Sequence, residues 1–171
     1  GRGGGGEGGG GLLMVWRAVL DLVMARSCDA LIDCGALMSG ATPEEVARIL
    51  IPTLDPARFK GVSFFDISAG HWAVLDRVGR RMKREDSSIV GRDTFVYFDE
   101  PRCRGADFKL RSNAVALVTL GPGVCKDKLM QAAGRMRMLE RGQSLFFAGT
   151  QDISAQIRGG WGQQQQQQPQ Q

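Results

Sequence analysis

Two polar segments in the second half of the chain carry the residue types that handle phosphate. Arg104-Gly105-Ala106-Asp107 sets an arginine and an aspartate around a glycine, and Gln131-Ala132-Ala133-Gly134-Arg135-Met136-Arg137 sets a glutamine and two arginines around another. A glycine lets backbone approach a ligand closely, and charged neighbours can sense a phosphate or couple two lobes. Arg104, Gly105, Asp107, Gln131, Arg135 and Arg137 are therefore the candidates to face a phosphate or nucleotide. The plainer alternative at 104–107 is a surface turn in which Asp107 bonds local backbone, since turns favour these residues. For the second segment it is a solvated basic face.

Other chemistries find less support. A thiol nucleophile needs an adjacent base, usually histidine. His71 is the only histidine, and Cys34, beside Gly35, is the best-placed thiol, so Cys34 and His71 are the one catalytic pair on offer. Buried, inert cysteine is the commoner state. Cys28, Cys34, Cys103 and Cys125 form no C-x-x-C pair, so no zinc ligand set stands at a usual spacing and no metal site is expected. Gly121-Pro122-Gly123-Val124-Cys125-Lys126 imitates a phosphate loop, but Asp127 stands where Ser or Thr is needed. Asp99 and Glu100 imitate the acidic end of a magnesium-binding strand without a companion phosphate loop.

The elements that must position these residues follow from apolar runs and their punctuation. Runs near Ala30, Val62, Phe95, Val115 and Leu145 are short, apolar and bounded by turn residues, as strands buried on both faces of a parallel sheet are. Residues 12–26 read as an amphipathic helix with Arg17, Asp21 and Ser27 on its wet side. Thr42-Pro43-Glu44-Glu45 starts a second helix with a capping box, and Pro52 lies beyond its end. Residues 52–60 read as a loop and 61–66 as a strand. Residues 72–82 read as a helix with Val74, Leu75 and Val78 on one side, or as a short strand turning at Gly79. Residues 80–86 are charged and solvated. A basic helix is expected over 126–139, with Lys128, Gln131 and Arg135 on one face and Leu129, Met136 and Leu139 on another. Strands alternating with helices imply an α/β domain of three layers around a mostly parallel sheet, with functional loops at the strand carboxyl ends.

The 171 residues suffice for one domain with a real core. Residues 1–11 are nearly all glycine and the tail over 159–171 is rich in glutamine, compositions that cannot offset ordering entropy, so both read as disordered. The sequence does not begin with Met and reads as a piece of a longer protein. The apolar stretch 12–25 is too short to span a bilayer and carries Arg17 and Asp21, so no membrane association is expected. With no cysteine framework, the chain reads as intracellular, cytoplasmic or nuclear. Net charge is +4, compatible with a phosphate-bearing partner without requiring one.

Taken together, the motifs resemble the second RecA-like lobe of superfamily-two helicases. There one motif follows a strand with arginine, glycine and aspartate, and the next opens a helix with glutamine, glycine and two arginines. The wording is closer still to a group of very large eukaryotic proteins catalogued as ubiquitinyl hydrolases. The shared residues are Asp99, Glu100, Arg104, Gly105, Asp107, Lys109, the VTLG run ending at Gly121, Lys126, Asp127, Leu129, Gln131, Ala132, Arg135, Met136, Arg137, Leu139, Gly142, Gln143 and Ser144. The resemblance implies a RecA-like domain over 12–158, motif-rich over 94–148. It implies a parent that cleaves ubiquitin conjugates by thiol chemistry, and ATP and Mg²⁺ shared with a first lobe not seen in this sequence. Ubiquitin conjugates and the rest of the parent chain are then the partners.

One departure from the helicase pattern matters. The two arginines there sit three apart, whereas Arg135 and Arg137 are two apart and point to nearly opposite helix faces, and Met138 falls where the finger arginine belongs. A degenerate motor lobe follows. The remaining readings are a nucleic-acid-dependent NTPase lobe and a non-catalytic scaffold. Nucleic-acid binding has two basic clusters behind it, Arg77, Arg80, Arg81, Lys83, Arg84 and Arg102, Arg104, Lys109, Arg111, but no interleaved aromatics. All motor readings share one spatial expectation: the 104–107 bend and the amino end of the 126–139 helix lie side by side on one rim of the sheet.

Overall fold

The computed structural model describes residues 8–103, 108–124 and 126–149. They form an α/β fold around one seven-stranded, mostly parallel sheet. Its strands are β1 (Ala30–Ile32), β2 (Gly61–Asp66), β3 (His71–Asp76), β4 (Arg81–Lys83), β5 (Thr94–Phe98), β6 (Val115–Thr119) and β7 (Ser144–Ala148), in the order β4-β3-β2-β5-β1-β6-β7. The run from β2 to β7 is parallel at every pairing, and β3 and β4 extend the β2 edge as antiparallel strands.

The central strands are apolar throughout because both faces are covered. Leu31, Val62, Phe64, Phe95, Tyr97 and Leu117 pack on one side, against helix α1 (Gly8–Ala25) and helix α2 (Pro43–Leu50). Ala30, Ile32, Val96, Phe98, Ala116 and Val118 pack on the other, where helix α3 (Lys126–Ala133) contributes Ala132, followed by Met136. Alternation along each strand assigns neighbours to opposite layers. Fully burying one large apolar side chain contributes about 1.5–3 kcal/mol. Phe59 and Phe95, both essentially buried, meet edge to face with centroids 5.7 Å apart.

Helix α2 is built as its sequence dictates. Thr42 accepts from the Glu45 amide at 3.2 Å, the Glu45 carboxylate accepts from the Thr42 amide at 2.7 Å, and Pro43 takes the first turn. The helix buries Val46, Ala47 and Leu50 and passes into a 3-10 turn, Ile51–Thr53, at Pro52.

Three expectations are corrected. Residues 72–82 are not a helix but the hairpin of β3 and β4, the strand alternative taken further. Gly79 adopts φ 85°, and Asp76 accepts from the amides of Val78 and Arg80 at 3.0 and 2.8 Å, fixing the turn. The charged stretch 80–86 is exposed or half-buried, as its charge implies, and carries β4 and a 3-10 turn. Helix α1 begins at Gly8, inside the segment expected to be disordered. Finally, α3 ends at Ala133, well short of residue 139: Gly134 weakens the helix, and the chain turns so that Met136 enters the core. The tail from residue 159 lies outside the described residues.

Candidate functional site

Strands β1, β2, β5 and β6 point their carboxyl ends to one edge. Three of them end at an aspartate, Asp33, Asp66 and Asp99, and β6 ends at Thr119. The crossover from β1 leaves through α2 toward β2, and that from β6 leaves through α3 toward β7. Their divergence puts the topological switch point, where such sheets open for ligands, between β1 and β6.

Here that crevice is closed. A β-carbon on Gly35 would lie 2.4 Å from the carbonyl carbon of Leu120, and one on Gly121 would lie 2.4 Å from Gly35 O. The two loops touch backbone to backbone, leaving no room for a methyl group, let alone a phosphate. Asp33, only 2 % exposed, ties them together. Its carboxylate accepts from Leu37 N at 2.9 Å, Met38 N at 3.0 Å, Thr119 Oγ1 at 2.6 Å and Tyr97 OH at 3.5 Å, while Gly35 N donates to Thr119 Oγ1 at 3.0 Å. Burial pushes the Asp33 carboxyl above its ordinary range, against the pull of these donors. Asp99, also buried, is raised chiefly by burial, with Arg102 opposing and the charges of Asp33 and Glu100 adding to the rise.

Beside the switch point, the segment leaving β5 meets α3. Lys128 of α3 pairs with Glu100 at 2.6 Å, and Cys34 Sγ donates to Lys128 O at 3.7 Å. Past Glu100, Arg102 stacks over the Phe65 ring at 3.9 Å. Phe108, where the described chain resumes, packs on Trp72 with centroids 4.9 Å apart, and Trp72 meets Phe65 and Phe98 edge to face. Arg104, Gly105 and Asp107 lie outside the described residues. Gln131 is exposed on α3. Arg135 is half-buried and Arg137 exposed, both beyond the end of α3, so the helical face expected to unite Gln131 with Arg135 does not continue that far.

Cys34 and His71 are not brought together. Between β1 and β3 stand β5 and β2, three strand spacings of roughly 5 Å each. Cys34 is fully buried under α3, and His71 Nδ1 lies 3.1 Å from the carbonyl of Trp72. Cys28 is buried too, and burial, with Asp29 beside it, pushes its thiol up to about 11. Neither thiol has the setting of a nucleophile.

The first basic cluster is structural. Arg77 donates to three carbonyls, Phe59 O at 2.7 Å, Leu54 O at 2.8 Å and Ile51 O at 3.2 Å, lacing the hairpin to the loop after α2. Arg80 pairs with Asp76 at 2.9 Å, Arg81 with Asp66 at 2.6 Å and Glu44 at 3.3 Å, and Lys83 with Glu85 at 2.6 Å. Arg84 donates to Ile89 O and stacks over Phe108. In the second cluster, Arg111 is tied to Asp29, which Arg58 also pairs at 3.0 Å. A cleft of about 420 Å³ lies at the opposite edge, between the end of α1 and the Pro52 loop, away from every motif; another of about 380 Å³ flanks the start of α2. No group of three His, Cys, Asp or Glu side chains suited to a metal occurs among the described residues, and no helix among them is long and apolar enough to cross a membrane.

The joint roles of Asp33, Tyr97, Thr119 and Trp72 at this edge were not legible in the sequence. Asp33 carried a signal as an aspartate directly before Cys34-Gly35 at a strand end, and Thr119 stood in the VTLG run without a role of its own. No protein-family model, curated protein or solved structure matches the chain.

Proposed function

We propose that this chain is a helicase-type second RecA-like lobe, degenerate in its motor chemistry, within a protein akin to the large ubiquitinyl hydrolases. In this reading the parent cleaves ubiquitin conjugates by thiol chemistry lodged outside these residues, and the lobe supplies architecture and contacts. The observation that carries it is the Glu100–Lys128 ion pair, which joins the segment leading into the arginine–glycine motif to the helix carrying Gln131. The parallel run β2-β5-β1-β6-β7, with the segments leaving β5 and β6 at one edge, agrees with it. The closed crevice at Gly35 and Gly121, and Met138 at the finger position, do not fit a bound nucleotide or its Mg²⁺.

Paired cations also favour a second reading, a lobe that binds protein partners and performs no chemistry in any setting. A ubiquitin-based electrophilic probe separates the two. Incubated with the longer parent, it should label a cysteine outside this chain and leave Cys34 unmodified. Labelling of Cys34 that disappears in His71→Ala would overturn the assignment, and a parent that takes up no label would favour the scaffold.

A further inference from the structure

We propose that Asp33 and Asp99 form a proton-sensing pair that tightens the carboxyl edge of the sheet on acidification. Ile32 and Phe98 are register partners in adjacent parallel strands, and Asp33 N donates to Phe98 O at 2.8 Å, so the two aspartates that follow lie side by side. Adjacent strands are about 4.8 Å apart. Asp33 and Asp99 are 2 % and 7 % exposed. Two like charges held this close, away from water, repel each other, and one proton relieves both the repulsion and part of the desolvation cost.

The geometry gives that proton a place. Oδ2 of Asp33 faces Tyr97 OH at 3.5 Å, the longest contact of its set. When a proton from solvent adds to Oδ2, the new O–H donates to the Tyr97 oxygen, and the phenol proton rotates off the carboxyl group. Leu37 N, Met38 N and Thr119 Oγ1 keep their acceptors. The neutral form therefore retains every bond that ties the two loops and sheds the buried charge.

Among the described residues, the other charged groups near this corner are engaged by partners of their own. Arg102 favours the ionised Asp99, and Glu100 opposes it while paired with Lys128 of α3. From α2, Glu44 is held by Arg48 and Arg81, and Glu45 by the Thr42 amide. Helix α1 contributes a neutral donor, Trp16 Nε1, to Leu37 O at 3.0 Å.

Amide hydrogen exchange of Leu37 and Met38, read as protection factors from about pH 8 down to about pH 4, just above the ordinary carboxyl value of 3.8, tests the pair. Protection should rise as pH falls, by at most about tenfold per pH unit for one proton. In Asp99→Asn the rise should move to lower pH, because the neighbouring charge is gone. Asp33→Asn, which removes the Oδ2 proton site, should keep only the smaller response of the buried Asp99. Protection that is flat or falls on acidification in the native protein, or a rise that Asp99→Asn leaves in place, overturns the proposal. Should Asp33→Asn fail to fold, the native protein and Asp99→Asn still decide it.

Discussion

Asp33 and Asp76 are both buried aspartates at turns, yet they answer pH in opposite directions. Burial raises Asp33, and Asp99 likewise, so their contribution to stability is full below the ordinary carboxyl value of 3.8 and is lost as pH rises through their higher folded values. Asp76 feels burial too, but the amide and guanidinium of Arg80 win and hold it low; Ser68 Oγ, aided by Arg81, does the same for Asp66. Their contribution is present above 3.8 and fades as pH falls through their lower folded values. The two signs combine into an expected stability maximum near the ordinary carboxyl value of 3.8. Urea midpoints measured across pH would show it, and a maximum on the alkaline side would contradict this assignment of charges. Cys28 adds a loss at the alkaline end, between its ordinary 9.0 and about 11. Little of this was legible in the sequence, where each aspartate reads as a turn residue. Which side an aspartate takes depends on whether a distant hydroxyl, such as Thr119, or a nearby arginine, such as Arg80, reaches it.

Strands and capped helices were the legible elements, because their signals are local. The Thr42 capping box and the apolar runs of β2 and β5 fall where their residues place them. The hairpin of β3 and β4 and the short α3 were less legible, since both depend on tertiary partners. Trp72 enters an aromatic cluster with Phe65, Phe98 and Phe108, which rewards a strand at a site whose apolar spacing also suits a helix. Met136 enters the core and draws the chain away from a helical path after Gly134. Arg77 offers a direct probe of how the hairpin is held, for its three carbonyl partners all belong to segments preceding β2. Arg77→Ala should cost about 2–3 kcal/mol in chemical denaturation, as charge-assisted bonds to partly buried carbonyls are lost. Arg80→Ala, which removes a pair whose arginine is largely exposed, should cost under about 1 kcal/mol. Equal losses would mean that Arg77 does not lace the hairpin to the loop after α2.

At the scale of the whole molecule, the sheet order brings the segment leaving β5 and helix α3 to one rim while closing the crevice that such rims usually open. The parallel α/β class was readable from five apolar runs separated by helices. The closure was not, because it rests on the contact of Gly35 with Gly121, 86 positions along the chain, and on Asp33 reaching Thr119. The thiol–imidazole pair was the opposite case: Cys34 and His71 invited pairing by type, and the strand order separates them. The same order makes the basic cluster of the hairpin a set of internal ties, with Arg77, Arg80 and Arg81 each engaged. An α/β unit that holds its architecture and performs no hydrolysis by itself accounts for these features together. Steady-state ATP turnover of the chain with Mg²⁺, compared with its Arg135→Ala variant, tests that account most directly. It predicts no turnover above the protein-free rate in either; turnover by the native chain that Arg135→Ala abolishes would contradict it.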